Sequence, residues 1–302
     1  MQSNKYCCSR CGAGGFSIGL YAKVRNIDNK KAYRELLDRE CFSIEKSNIT
    51  ISPINEIADI NIRDKVYRDF LNMLPLEMQH KRYLQRIGFL NSSIDAQMYR
   101  SIPNKKIKRR LIANSLKIKY DLCGIPGFYQ DEDFVWTFSG NRGFFIPCLD
   151  EKNKIQGFSI HLDEPYNKKT DMWFSSNGKI NGTATKNWIS KSNIYEETET
   201  VILTDDLLLG NLIKEILNEP IISFSSISNS YNILRTLDGT KIKNIIFTIR
   251  SSKKNQDLDY IINKIFKDLI LLGYNLECKY INNYRDILKD NFLTLYTFKK
   301  TV

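Results

Sequence analysis

Cys8 and Cys11 stand two residues apart and run into Gly12-Ala-Gly-Gly15, a tight knuckle whose glycines tolerate positive φ. Paired thiolates at this spacing are half of a structural zinc site, which needs four ligands, usually as two short pairs. Cys7 and Cys41 are spare thiols, and neither His80 nor His161 has a ligand-like neighbour. The alternative is two reduced thiols at a turn. A second chemistry is carried by cations. Between Lys81 and Asp121 eleven Lys and Arg residues face only Asp95 and Asp121, a net +9 out of +11 for the whole chain. Its centre, Asn104-Lys-Lys-Ile-Lys-Arg-Arg110, holds Lys105, Lys106, Lys108, Arg109 and Arg110. Cations this dense neutralise phosphates and release counter-ions, so a salt-sensitive nucleic-acid contact is expected; a solvated helical face is the alternative. A third set follows apolar runs: Asp205-Asp206 after Val201-Ile-Leu-Thr204, and Arg250, Ser251, Ser252, Lys253 and Lys254 after Asn244–Ile249. Cations at the carboxyl end of a parallel strand line the crevice where open α/β sheets bind ligands, and they can reach phosphate oxygens. An exposed polar turn is the alternative there, and Asp205 and Asp206 equally suit a helix N-terminus. There is no Walker phosphate loop, nucleophile elbow or HExxH zinc motif.

The elements that must position these groups come from patterning. The 302 residues are 42% hydrophobic and 26% charged, which is ordinary globular usage and excludes wholesale disorder. No run of about 18 apolar residues exists for a membrane span, and MQSNKYCCSRC lacks an apolar signal core. A cytoplasmic chain with reduced thiols is therefore expected. Lys, Asn and Ile are abundant throughout, so coding bias supplies part of the charge. Val66, Tyr67, Phe70, Leu71 and Leu74 follow helical spacing within a helical stretch over 63–122. From 125 to 176 short aromatic and β-branched runs, with a turn at Asp150–Asn153, predict an antiparallel sheet. From 200 onward strands and helices alternate: strands at 201–204, 220–224, 244–249 and 275–281, helices at 207–217, 230–237 and 257–272. Buried apolar strands joined by helices predict a mainly parallel sheet.

These stretches, in this order, resemble the bacterial replicative primases, and most of all the primase-like proteins of mobile genetic elements. Tyr6-Cys-Cys-Ser-Arg-Cys-Gly-Ala-Gly-Gly15 is similar to the second half of a primase zinc ribbon. Tyr67-Arg-Asp-Phe-Leu71, His80-Lys-Arg-Tyr-Leu84 and Tyr99-Arg-Ser-Ile-Pro103 are similar to the helical segment of the mobile-element proteins. Gly124-Ile-Pro-Gly-Phe-Tyr129, Gly140-Asn-Arg-Gly-Phe-Phe-Ile-Pro147, Lys154–Asp163, Trp173-Phe-Ser-Ser176 and Asn181-Gly-Thr183 are similar to the first lobe of the primase core. Val201-Ile-Leu-Thr-Asp205 lies where the TOPRIM domain of that core begins. The resemblance implies α+β N-terminal and middle regions, a helical segment plus an antiparallel sheet lobe, followed by an α/β TOPRIM-like domain. The expected boundaries are a truncated zinc-ribbon-like unit at 1–40, a linker at 41–62, a basic helical segment at 63–122, the β-rich first lobe at 123–198 and the TOPRIM-like domain at 199–302. It also implies that Arg142 faces template or nucleotide, with Lys168, Lys169 and Lys186 in neighbouring loops.

Two departures shape the functional expectation. The ribbon resemblance covers only Cys8 and Cys11, which reads as a lost zinc site, ahead of completion by another chain or an incomplete reading frame. In TOPRIM domains carboxylates at strand ends hold Mg²⁺, with a Glu-Gly turn after the first strand and Asp-x-Asp after a later one. Here the first position reads Asp205-Asp206, and the second reads Arg250-Ser-Ser-Lys-Lys254, a cation and hydroxyls. Asp257 and Asp259 fall inside the next helix. The expectation is a degenerate primase-like protein that binds single-stranded DNA or primer-template without polymerising. It would need no cofactor and would act as an accessory or regulator beside replication proteins such as a helicase. The alternatives are an active Mg²⁺-dependent primase using Asp205 and Asp206, and a protein-interaction module without nucleic-acid affinity. Zinc would need a second ligand pair from elsewhere.

Overall fold

The structure, a computed structural model, describes residues 5–7, 14–27, 56–166, 169–224, 230–250 and 256–288. Two compact units are present, Met1–Ile51 and Ser52–Val302. In the first, β1 (Lys5–Cys7) pairs antiparallel with β2 (Gly14–Phe16), and α1 (Ser17–Arg25) follows. The expected helix at 29–37 lies outside the described residues.

The second unit begins with helices. Asp59 caps α2 (Ile60–Asn72) by accepting from the Asn61 amide at 2.8 Å. Val66, Tyr67, Phe70 and Leu71 then recur on one face and are fully buried. α3 (Met78–Ile87) ends at Gly88, whose φ of 125° no β-carbon tolerates well. α4 (Asn91–Ala96), the short β3 (Arg100–Ser101) and α5 (Lys106–Lys117) complete the helical stretch.

A two-stranded hairpin, β4 (Phe128–Gln130) with β5 (Trp136–Phe138), leads into an antiparallel sheet of order β3-β6-β7-β8. Its strands are β6 (Gly143–Leu149), β7 (Ile155–Tyr166) and β8 (Lys169–Trp173). Asp150 closes the β6–β7 turn by accepting from the amides of Lys152 (2.9 Å) and Lys154 (2.8 Å), as the polar run predicts. An aromatic core fills the space between α2 and this sheet. Phe70 lies at its centre, 4.8–6.2 Å from the rings of Phe128, Phe138, Phe145, Phe158 and Phe174.

The last sheet has order β13-β12-β10-β11-β9. β10 (Thr200–Thr204), β11 (Ile221–Phe224), β12 (Asn244–Arg250) and β13 (Asn275–Ile281) are parallel, as the strand–helix alternation predicts. β9 (Ile189–Ser192) adds an antiparallel edge. The sheet is therefore mixed, and its edge strand comes from upstream of the boundary expected at 199. Alternate residues of each strand serve opposite faces. Val201, Leu203, Ile245 and Phe247 pack beneath α7 (Ser230–Leu237) and α8 (Gln256–Leu271). Ile202 and Ile246 pack with α6 (Leu207–Leu217) and with Phe144, Ile146 and Cys148 of β6. That second cluster joins the two sheets into one body. A 3₁₀ helix (Tyr284–Leu288) closes the described chain over α6.

Candidate functional site

At the carboxyl ends of β10 and β12 the chain places a closed network of charge. Asp206 is the N-cap of α6, and its Oδ1 accepts from the amides of Leu208 (3.0 Å) and Leu209 (3.1 Å). Its Oδ2 accepts from the Tyr284 hydroxyl at 3.1 Å and lies 2.6 Å from Arg250 Nε. The contact with Arg250 is an ion pair rather than an aligned hydrogen bond. Arg250 is the last residue of β12, and its guanidinium lies over the Tyr284 ring at 4.9 Å. Its Nη2 is 3.8 Å from Asp171 of β8. Asp171 in turn accepts from Thr170 Oγ1 at 2.6 Å and pairs with His161 Nδ1 at 2.8 Å. The Tyr83 ring of α3 stacks on His161, 5.1 Å between centroids.

Burial sets the electrostatics. Asp206 is 3% exposed and Arg250 8%. Burial alone would lower the Arg250 pKa, but Asp206 first, then Tyr284, Asp171 and Asp205, raise it, and the guanidinium stays charged. Burial also pushes the Tyr83 phenol up to about 12, with Asp206 adding to the rise. Tyr284 is raised for the same reasons.

Asp206, as arranged, has no free oxygen to offer a divalent ion. Mg²⁺ demands near-octahedral oxygen ligands at close range, supplied by carboxylates with room for water. Both oxygens of Asp206 already accept hydrogen bonds, and a guanidinium holds the approach to Oδ2. Among the described residues no group of three or more His, Cys, Asp or Glu side chains is placed to hold a metal. Of the two roles open to Asp205 and Asp206, the structure gives Asp206 that of a helix cap. Arg250 faces two internal carboxylates, Asp171 and Asp206.

The basic cluster resolves into parts. Lys105, Lys106 and Lys108 are exposed at the start of α5. Arg109 is turned inward: Nε donates to the Pro103 carbonyl (2.6 Å) and Nη1 to that of Gly140 (2.8 Å), over the Phe138 ring. Arg110 donates from Nε to Asp131 at 2.7 Å and from Nη2 to Asp133, while Lys106 lies 3.7 Å from Asp131. Lys119 pairs with Asp69 at 3.6 Å and Lys117 with Asp121 at 3.1 Å. Asp69, Asp131 and Asp133 lie outside the stretch 81–121, so the fold neutralises part of the charge that the sequence concentrates there.

A second cationic group sits at the open end of the antiparallel sheet. Gly143, at φ 149°, lets β6 approach β7 so closely that a β-carbon would stand 2.0 Å from the His161 carbonyl. This close pairing delivers Arg142 to the sheet end, 68% exposed and 3.9 Å from Asp163. Asp163 also pairs with His80 Nε2 at 2.8 Å, whose Nδ1 meets Ser101 Oγ at 2.7 Å. Lys169 starts β8 at the same end, opposite Tyr166, and is exposed, as is Lys186. Lys168, Lys253, Lys254, Cys8 and Cys11 lie outside the described residues. Sequence reasoning left Tyr83, Asp163, Asp171 and Tyr284 unassigned. No short motif marks them, because their partners are 34 or more residues distant or lie on another element. His161 is both packed and paired.

No family model matches the chain. Among curated proteins, a Mediator of RNA polymerase II transcription subunit 14 from Scheffersomyces stipitis is 25% identical over 236 residues, 67% of this chain and 20% of that protein. The chain thus spans about a fifth of that relative's length. Solved structures give a different likeness. The zinc-binding and RNA polymerase domains of the Aquifex aeolicus primase superpose with a TM-score of 0.55 at 13% identity, covering 93% of this chain and 68% of that one. The RNA polymerase domain of Mycobacterium tuberculosis primase DnaG, solved with double-stranded DNA, gives 0.55 at 8% identity over 74% and 73%. The DnaG catalytic core gives 0.51 at 9% over 76% and 74%. On backbone geometry, then, the chain has a primase-like fold, the one shared by the catalytic domains of bacterial DnaG primases.

Proposed function

We propose that this protein is a nucleic-acid-binding, primase-like factor of a mobile element that engages single-stranded DNA or primer-template without polymerising nucleotides. It acts in the cytoplasm as an accessory or regulator of replication, beside replication proteins such as a helicase. One observation carries the non-catalytic reading: on a primase-like fold, the buried guanidinium of Arg250 lies 2.6 Å from Asp206 at the strand ends where the resemblance expects metal-binding carboxylates. Arg142, Lys169 and Lys186 supply the phosphate contacts, and Arg142 and Lys169 share one end of the antiparallel sheet. Phosphate contacts position a strand without reading its sequence, so sequence-tolerant binding follows. Among the described residues no helix is long and apolar enough to cross a membrane.

The test has two arms. Binding to a fluorescent single-stranded oligonucleotide is measured against salt, where each neutralised phosphate contributes a slope of about −0.7. Arg142→Glu and Lys169→Glu each weaken binding and reduce the slope by at least about 0.7, the share of one phosphate contact. Unchanged affinity in both variants removes the nucleic-acid assignment. Primer synthesis with labelled nucleotides in Mg²⁺ and Mn²⁺ is expected to be absent. Synthesis that disappears in Asp205→Asn would establish an active primase instead.

A further inference from the structure

Helix α5 has two apolar faces and buries only one. Ile112, Ala113 and Leu116 pack into the core, whereas Ile107, Leu111 and Ile118 are 73%, 65% and 87% exposed. At 3.6 residues per turn the three exposed side chains project within about 40° of one another, opposite the buried face. Isolated exposed aliphatics are ordinary, but an aligned stripe marks an interaction surface.

The β4–β5 hairpin widens this stripe. It is held along the flank of α5 by Arg110, through Asp131 and Asp133, and by Asn114, whose Nδ2 donates to the Trp136 carbonyl at 3.1 Å. At its tip Phe134 is 69% exposed and has φ 57°, a left-handed conformation rarely adopted by a bulky side chain. The tip is well formed: the Phe134 amide donates to the Asp131 carbonyl at 2.9 Å and Gln130 Nε2 to the Phe134 carbonyl at 2.9 Å. The hairpin turn uses a left-handed residue at this place, but nothing in the turn calls for an exposed aromatic ring there. The rim along α5 is cationic, while the hairpin tip beside Phe134 carries the exposed Glu132 and the exposed Asp133 that Arg110 pairs. Lys105 and Lys108 are exposed and make no ion pair among the described residues, and Lys106 and Lys119 are exposed with loose pairs at 3.7 and 3.6 Å.

We propose that this face, Ile107, Leu111 and Ile118 with Phe134 as anchor, docks an acidic amphipathic helix of a partner protein. Charge complementarity selects the occupant: apolar knobs meet the stripe and carboxylates meet the lysine rim. The three branched aliphatic side chains offer no π-face to stacked bases, and Phe134 is the one aromatic ring beside them, so the stripe favours a helix over a nucleic-acid strand. A second copy of the chain would set lysines against lysines. On this reading Lys105, Lys106 and Lys108 serve a protein partner and not phosphate. The inference is separate from the contacts proposed at Arg142 and Lys169.

The test uses the full chain and fluorescence anisotropy. One probe is a synthetic labelled helix with leucines at the matching spacing and glutamates on both flanks; the other carries lysines in place of the glutamates. The glutamate helix is expected to bind and the lysine helix to fail. Leu111→Glu should weaken binding at least about tenfold, as loss of a central anchor does. Leu111→Gln and Phe134→Ala should weaken it several-fold, and oligonucleotide affinity should stay unchanged in all three. The uncharged Leu111→Gln keeps the test decisive if Leu111→Glu fails to fold. Equal binding of both helices, or Leu111→Gln indistinguishable from the parent, overturns the proposal. Loss of oligonucleotide affinity in Leu111→Gln would assign the face to nucleic acid, and a concentration-dependent dimer abolished by the same change would assign it to a second copy; both outcomes also overturn it.

Discussion

Two arginine–aspartate pairs occupy opposite environments in this protein. Arg110 holds Asp131 and Asp133 at the edge of α5, where its side chain is 26% exposed and Asp133 65%. Arg250 holds Asp206 between two sheets, at 10% and 2% side-chain exposure. The chemistry is the same and the consequence differs. At the edge, water and salt screen both charges, and the pair mainly fixes a hairpin against a helix. In the interior each charge has lost its hydration, and the pair is held by what surrounds it: two amides on Asp206, a phenol hydroxyl and an aromatic face. A buried pair of this kind is not a net source of stability, but breaking it leaves one charge stranded.

The largest effect should come from stranding Asp206. Arg250→Met is expected to lower unfolding free energy by about 3–5 kcal/mol, read from urea melts. A loss under about 1 kcal/mol would mean that the interior pair behaves like the surface one. Next is the rescue. Combining Arg250→Met with Asp206→Asn should recover most of that loss, because both charges are removed together; strict additivity of the two single changes would sink the account of the pair. The double variant should also show no response to Mn²⁺ in thermal melts.

pH separates the regions in opposite directions. Although its own burial acts to raise it, Asp131 has its pKa held below 3.8 by Arg110 and by the amides of Asp133 and Val135. Its depressed folded value means that its stabilisation is present above 3.8 and is lost as pH falls through the folded value. The interior behaves the other way. Tyr83 is raised from 10.0 to about 12, so its neutral form favours the fold below 10 and that stabilisation is lost as pH rises toward 12. Melting curves should therefore show Arg110→Ala flattening the acid limb and Tyr83→Phe flattening the alkaline limb. A swap of these two effects would break the comparison.

The smallest effect concerns hydroxyls beside the interior pair. Thr204 and Thr248 face each other across β10 and β12, fully buried, and among the described residues their Oγ1 atoms have no hydrogen-bond partner. Thr248→Val replaces an unmet donor with a methyl of similar shape and should be neutral or stabilising by up to about 1 kcal/mol. A clear destabilisation would show that the hydroxyl is satisfied in solution.

Much of this was legible in the chain. The period-3.6 apolar spacing of Val66, Tyr67, Phe70 and Leu71 and the apolar runs of the last strands are local patterns, and each became the element its pattern predicts. The edge strand 189–192 was not legible: Ile-Ser-Lys-Ser has no apolar alternation, and only pairing with β11 makes it a strand. The basic run misled about surface charge for a related reason. Linear order places eleven cations together, but Asp69, Asp131 and Asp133 reach them from before and after. Phe134 reads as one more aromatic of a strand, Phe134-Val-Trp-Thr-Phe138, and only its backbone angle sets it apart at an exposed turn.

Residue order by itself determined most of the helices and strands, the edge strand 189–192 excepted, because those depend on neighbours within one or two turns. It also determined that a cation, not a carboxylate, ends β12. What that cation does was decided only in three dimensions. Asp171, Asp206 and Tyr284 reach Arg250 from separate elements, and exclusion of water between two sheets is what turns an ordinary arginine into the fixed counter-charge of a helix cap.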